Sequence, residues 1–127
     1  SNAMTDAAIA EKDLGNAAYK QKDFEKAHVH YDKAIELDPS NITFYNNKAA
    51  VYFEEKKFAE CVQFCEKAVE VGRETRADYK LIAKAMSRAG NAFQKQNDLS
   101  LAVQWFHRSL SEFRDPELVK KVKELEK

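Results

Sequence analysis

The chain has 127 residues, 44% of them hydrophobic and 33% charged, a balance that belongs to a globular chain rather than a disordered one. Its 21 basic and 21 acidic residues cancel, which argues against a general nucleic-acid binder with its broad basic excess. No apolar run approaches the roughly 18 residues of a membrane span, so no membrane partner is expected.

Three glycines and two prolines leave few breaks, and apolar residues recur at helical spacing. Ser1-Asn2-Ala3 reads as an expression-tag remnant and 4–127 as a single domain. Asp6 and Glu11 stand where a signal peptide would carry a basic start. The spacing predicts seven helices, over about 6–21, 24–37, 42–55, 58–71, 75–96, 99–113 and 116–126. Short loops between them predict antiparallel neighbours. Asp38-Pro39-Ser40-Asn41 stops one helix and starts the next. Gly72 is placed to cap the fourth helix. Asp115 and Pro116 open the last, as N-cap and first helical residue.

The helices repeat as pairs. Adding 34 to a number in the first pair finds its counterpart: Gly15 maps to Ala49, Phe24 to Phe58, Ala27 to Cys61 and Ala34 to Ala68. The third copy lies 41 residues further on, with Gly90 matching Ala49, Leu99 Phe58, Ala102 Cys61, Phe106 Cys65 and Ser109 Ala68. Seven extra residues, near 76–82, predict two added turns at the front of the fifth helix. The repeats then run over about 8–41, 42–75 and 76–115, and residues 116–126 form a capping helix whose Leu118, Val122 and Leu125 cover the open apolar end. Gly90 sits inside a predicted helix, where glycine costs about 1 kcal/mol relative to alanine, so close approach of a neighbouring helix is expected to offset it.

Cys61 and Cys65 are four apart, fall at packing positions and lack further soft ligands, so they read as core, with no metal and no cofactor implied. Two cysteines are too few for a disulfide framework, which points to a reducing, cytoplasmic compartment. His28, His30 and His107 are scattered over outer helices with no nucleophile nearby in register, so no enzyme is expected.

The 34-residue helix–turn–helix pattern, read from Leu14, Gly15, Ala18, Ala27, Tyr31, Ala34 and Pro39, resembles the tetratricopeptide repeat. That resemblance implies an all-α fold of three repeats in a right-handed superhelix with a C-terminal capping helix. The signature tryptophan is absent, with Glu11, Tyr45 and Met86 in its place, and the second repeat lacks the glycine and the proline. Lys12–Asn16 (K-D-L-G-N), Tyr45–Phe53 (Y-N-N-K-A-A-V-Y-F), Glu70–Glu74 (E-V-G-R-E) and Asp78–Asn91 (D-Y-K-L-I-A-K-A-M-S-R-A-G-N) resemble the Hop family, co-chaperones that link heat-shock proteins 70 and 90. The likeness is greatest to that family's middle three-repeat domain, which holds the C-terminal tail of heat-shock protein 90. It implies a two-carboxylate clamp formed by Lys12, Asn16, Asn47, Lys84 and Arg88, and a ligand ending Glu-Glu-Val-Asp.

In such a fold the first helix of each repeat lines the groove. The register puts Ile9, Lys12, Asp13, Asn16, Tyr19 and Lys20 there from the first repeat, Thr43, Asn46, Asn47, Ala50, Phe53 and Glu54 from the second, and Lys84, Ser87, Arg88, Asn91, Gln94 and Lys95 from the third. Five cations against two anions make this trough attractive to an acidic ligand, although the whole chain is neutral. Lysine brings three donors with its charge and asparagine neutral amide donors, both suited to carboxylates. Tyr19, Thr43, Ala50, Phe53, Glu54 and Asn91 are expected to flank the bound peptide. The tail of heat-shock protein 70 has the same last four residues and fits the same clamp. A general scaffold whose groove binds an unrelated internal segment or a second copy of the chain is the remaining reading, and a monomeric domain is expected.

Overall fold

The structure, a computed structural model, describes residues 2–127. Among these residues it contains α1 (Ala3–Lys20), α2 (Phe24–Leu37), α3 (Ile42–Glu54), α4 (Phe58–Thr75), α5 (Tyr79–Lys95), α6 (Leu99–Glu112) and α7 (Pro116–Leu125). Most starts are fixed by a short polar side chain that accepts from an otherwise orphaned backbone N–H. Asn2, Asp23, Asn41, Asp78, Asp98 and Asp115 do this for α1, α2, α3, α5, α6 and α7. Lys57, before α4, makes no such bond.

Helices pair as hairpins, α1 with α2, α3 with α4 and α5 with α6, and each hairpin stacks on the next. The register of the repeat is visible in the turns. Lys22, Lys56 and Asn97 all take the left-handed conformation, at φ of 61°, 62° and 63°. The following N–H closes the first helix each time, Asp23 to Ala18 C=O, Lys57 to Tyr52 C=O and Asp98 to Phe93 C=O, all at 2.9 Å.

Inside the hairpins, small residues on the first helix meet large ones on the second. A Cβ at Gly15 would lie 2.5 Å from Tyr31 Cε1, and one at Gly90 would stand 3.0 Å from Phe106 Cζ. The expectation for Gly90 holds: the approach of α6 accounts for the glycine. Between hairpins, Ala8 and Ala34 pack on Phe44, and Val51 joins Ala18, Ala27 and Tyr31. Ile42, Tyr45, Val69, Ile82 and Met86 form the seam of the second and third hairpins. Tyr45 and Met86, which replace the signature tryptophan, are thus both core residues. Leu118 and Val122 of α7 close over Ala102 and Phe106, with Leu125 against them, as a capping helix should.

Three boundaries differ from expectation. α1 begins at Ala3, not near residue 6, because the Asn2 side chain accepts from Thr5 N–H at 2.9 Å. Gly72 does not cap α4. It is buried within the helix, where a Cβ would lie 2.8 Å from both Ile42 Cδ1 and Ile82 Cγ1, and Arg76 takes the left-handed cap at φ 54°. The seven extra residues are therefore divided. α4 has 18 residues against 14 in α2 and α6, so it takes about one turn, and α5, starting at Tyr79 rather than 75, takes another.

Candidate functional site

The groove is walled by α1, α3 and α5, and hydrogen bonds between these helices, with one from α2 behind them, set its shape. Tyr31 O–H donates to Asn16 Oδ1 at 2.5 Å, and Asn47 Nδ2 donates to the same oxygen at 3.4 Å. The oxygen of Asn16 is thus spent on the scaffold, while its own amide N–H groups are not used by that network. Lys12 lies one helical turn before Asn16 and on the same face. Its only ion-pair neighbour among the described residues is the adjacent, exposed Asp13, at 3.5 Å.

On the opposite wall Arg88 Nη1 donates to Asn46 C=O at 3.2 Å, so α3 holds the guanidinium in place. Lys84 is exposed one turn earlier on α5. Neither Lys84 nor Arg88 has an ion-pair partner among the described residues. A cavity of about 210 Å³ lies between the three helices, lined by Tyr19, Ala50, Phe53, Glu54, Arg88 and Asn91. Burial pushes the Tyr19 phenol up, and Glu54 adds to this while Arg88 opposes it, so one acid and one cation face the same ring. Thr43 is half-buried one turn before Asn47, with its N–H taken by the Asn41 cap.

The structure therefore links Asn16 to Asn47, ties Arg88 separately to the α3 backbone, and gathers Tyr19, Ala50, Phe53, Glu54 and Asn91 with Arg88 around one cavity. Asn46 departs from the expected groove register. It is 4% exposed and turns away, with Nδ2 donating to Leu81 C=O at 3.2 Å. The close contact of α3 with α5 covers it. One groove residue was missed. Lys121 of α7 reaches back to donate to Asn91 Oδ1 at 2.6 Å and lies 4.9 Å from the Phe106 ring centroid. A stripe reading of α7 sees only its apolar face, and nothing in the local sequence marks Lys121 as crossing to α5.

Both cysteines are buried free thiols, and the hydrogen bond to Cys61 together with burial pushes the Cys65 thiol up. Each histidine pairs with a glutamate on a neighbouring segment: His28 with Glu55 and His30 with Glu11, both at 2.7 Å, and His107 with Glu126 at 3.2 Å. Among the described residues no cluster of three or more such side chains is arranged to hold a metal ion, and no helix is long and apolar enough to cross a membrane.

Comparison with known proteins adds to this geometry. A tetratricopeptide-repeat family model matches residues 41–114, and a TPR-repeat model matches residues 15–55. The Hsp70-Hsp90 organizing protein of Triticum aestivum is 48% identical over 125 residues, covering 95% of this chain and 22% of that protein. The chain thus spans about a fifth of the length of the curated relatives it matches. Among solved structures, the TPR2AB-domain:pHSP90 complex of yeast Sti1 is 40% identical with a TM-score of 0.89, over 94% of this chain and 46% of that one. The second TPR domain of human RPAP3, in complex with the HSP70 peptide SGPTIEEVD, is 28% identical with a TM-score of 0.79, over 95% and 96%.

Proposed function

This chain belongs to the tetratricopeptide-repeat family, and from that premise we propose that it is a co-chaperone adaptor module whose groove holds the acidic C-terminal tail of heat-shock protein 90. The observation that carries the reading is the Asn16–Asn47 hydrogen bond. It draws the amide donors of α1 and α3 together, across from two α5 cations that have no ion-pair partner among the described residues. A polypeptide's end supplies what this set lacks. A terminal aspartate carries two carboxylates close together, one on the main chain and one on the side chain.

In the clamp, Lys12, Asn16 and Asn47 take the main-chain carboxylate, and Lys84 with Arg88 take the side-chain carboxylate and the peptide beside it. Charge-assisted hydrogen bonds of this kind are worth about 1.5–3 kcal/mol each. Tyr19, Ala50 and Phe53 provide apolar walls, and Thr43, Glu54 and Asn91 flank the ligand. The module carries out no catalytic step and leaves chemistry to the chaperone. Its two free thiols suit a reducing, cytoplasmic compartment.

Calorimetry with a peptide ending Glu-Glu-Val-Asp, once with a free and once with an amidated C-terminus, tests the clamp. The free acid binds and the amide loses most of its affinity, and binding weakens as salt is raised. Equal binding of the two peptides removes the clamp. The relative that carries an HSP70 peptide favours a second reading, the same clamp on the tail of heat-shock protein 70. Competition between the two longer tail peptides separates them.

A further inference from the structure

Beyond the clamp, α5 continues past Arg88 and Asn91 to Lys95, all on one stripe at three- and four-residue spacing. Phe53, Asn91, Gln94, Lys95, Asn97 and Lys121 line an open cavity of about 530 Å³ there. Phe53 and Asn91 also line the cavity beside Arg88, so the two spaces adjoin. Every polar side chain that borders the outer space brings N–H donors, and it contains two ammonium groups and no carboxylate.

Lys121 is the unusual member. Its ammonium is half-buried against the Phe106 ring and is satisfied by a neutral amide oxygen, Asn91 Oδ1 at 2.6 Å. Burial lowers its pKa and Lys95 lowers it further, so the second charge facing it is a like one. Among the described residues Lys121 has no ion-pair partner. Two like charges held over one cavity, one of them partly desolvated, are relieved by an anion placed between them.

We propose that Lys95 and Lys121, with Asn91 between them, form a second anion subsite that takes an acidic side chain of the bound peptide upstream of its clamped end. The proposal rests on the clamp reading and adds a specificity determinant to it. From Arg88 to Lys95 the helix rises about 10 Å, the span of roughly three residues of extended peptide, and the lysine side chains extend the reach by about two more. The subsite therefore reads a position about three to five residues before the one held at Arg88. It makes α7 part of the binding surface as well as a cap.

The test is calorimetry on the chain with a series of ten-residue peptides sharing one free C-terminal end, each carrying a single glutamate or glutamine at one position from the fourth to the eighth from that end. One position is expected to favour glutamate by about three- to tenfold. That preference falls to near onefold in Lys121→Gln and in Lys95→Gln, while the loss on amidating the peptide stays as large as in the parent. Lys95 is exposed, so its variant keeps the test valid even if Lys121→Gln loosens α7. Absence of a glutamate preference at every position, with the amidation effect intact, overturns the subsite and leaves the clamp standing. A preference that survives undiminished in both variants overturns it too. Equal binding of free and amidated peptides overturns the clamp and this subsite with it.

Discussion

The ring of Phe106 occupies the place that a side chain at Gly90 would take, with Cζ 3.0 Å from that point and Cδ1 and Cε1 nearer still. The first repeat has the same pairing between Gly15 and Tyr31, and the second replaces it with Ala49 and Cys65, both fully buried. Volume is thus traded across one contact: a ring faces a bare backbone, and a thiol faces a methyl. Gly90→Ala should gain about 1 kcal/mol of helix propensity yet lose about 1–3 kcal/mol to overpacking, for a net loss. In a Phe106→Cys background, itself destabilised by its cavity, the same Gly90→Ala change should become neutral or favourable. Denaturant unfolding of the two single variants and the double variant measures the coupling, expected at about 0.5–3 kcal/mol. Strict additivity would remove the pairing as the reason for the glycine.

Tyr31 lies at the same contact in the first repeat and carries the hydrogen bond that orients Asn16. Burial, with Tyr19 nearby, pushes its phenol up to about 12 from an ordinary value of 10.0. Above pH 10 the unfolded chain gives up this proton and the folded chain keeps it, so the unfolded state gains on the folded one. The stabilisation is fully present below pH 10 and is lost as pH rises toward 12. Tyr31→Phe should therefore flatten the fall in stability between these values, read as the difference between parent and variant so that the other tyrosines cancel. On the proposed clamp it should also weaken peptide binding at neutral pH while leaving helicity intact, because Asn16 loses its orienting donor.

The repeat register was legible because it rests on volume and period. Gly15, Ala49 and Gly90 are small in a place where nothing larger fits, and that constraint is written in single residues. The inner-helix face followed from the same register, which is why Tyr19, Ala50, Phe53 and Arg88 are found together. What escaped depends on contacts between elements far apart in sequence. Gly72 carries the usual mark of a helix end, but its lack of a side chain serves Ile42 and Ile82, 30 residues before and 10 after it. Asn46 and Asn47 are both asparagines on one helix, and only the packing of α5 decides that one is covered and the other borders the groove. Lys121 is one of three lysines on α7, a helix whose apolar stripe is plain in the sequence, and its crossing to Asn91 is set by how α7 lies on α6.

Lys48 was another such residue, read only as part of a motif. Its side chain is 5% exposed, with Nζ 2.6 Å from Asp32 Oδ1 and 4.8 Å from the Phe64 ring centroid. Burying an ammonium is tolerable here because one carboxylate and two aromatic faces attend it, Tyr52 being the second. Asp32 is itself 60% exposed, so the pair is screened from the water side and its worth is discounted accordingly. Asp32→Asn should cost about 1–2 kcal/mol by leaving the buried ammonium with a neutral partner. Lys48→Met keeps the volume, removes the charge and should cost less than Asp32→Asn or even stabilise. Thermal unfolding of the two variants side by side decides the order, and a larger loss for Lys48→Met would mean that the ion pair itself is strongly stabilising.

The turn between α3 and α4 is the weak copy of a motif used three times. Asp23 and Asp98 cap α2 and α6 through Lys26 N–H at 3.2 Å and Leu101 N–H at 3.1 Å, whereas Lys57 offers α4 no acceptor and sets a positive charge at the positive end of the helix. Its ion pair with Glu55, at 3.7 Å with Lys57 itself 53% exposed, is worth little. Lys57→Asp should install the missing cap in the geometry its two counterparts already use, and raise stability by about 1 kcal/mol. The preceding Lys56, left-handed at φ 62°, offers a second gain, since glycine takes that conformation without the steric cost. Lys56→Gly combined with Lys57→Asp should raise the melting temperature by several degrees with no change in peptide affinity, because neither side chain belongs to the proposed clamp. If Lys57→Asp alone leaves the denaturation midpoint where it was, the uncapped start of α4 is not a defect and the first turn of that helix is held by its packing.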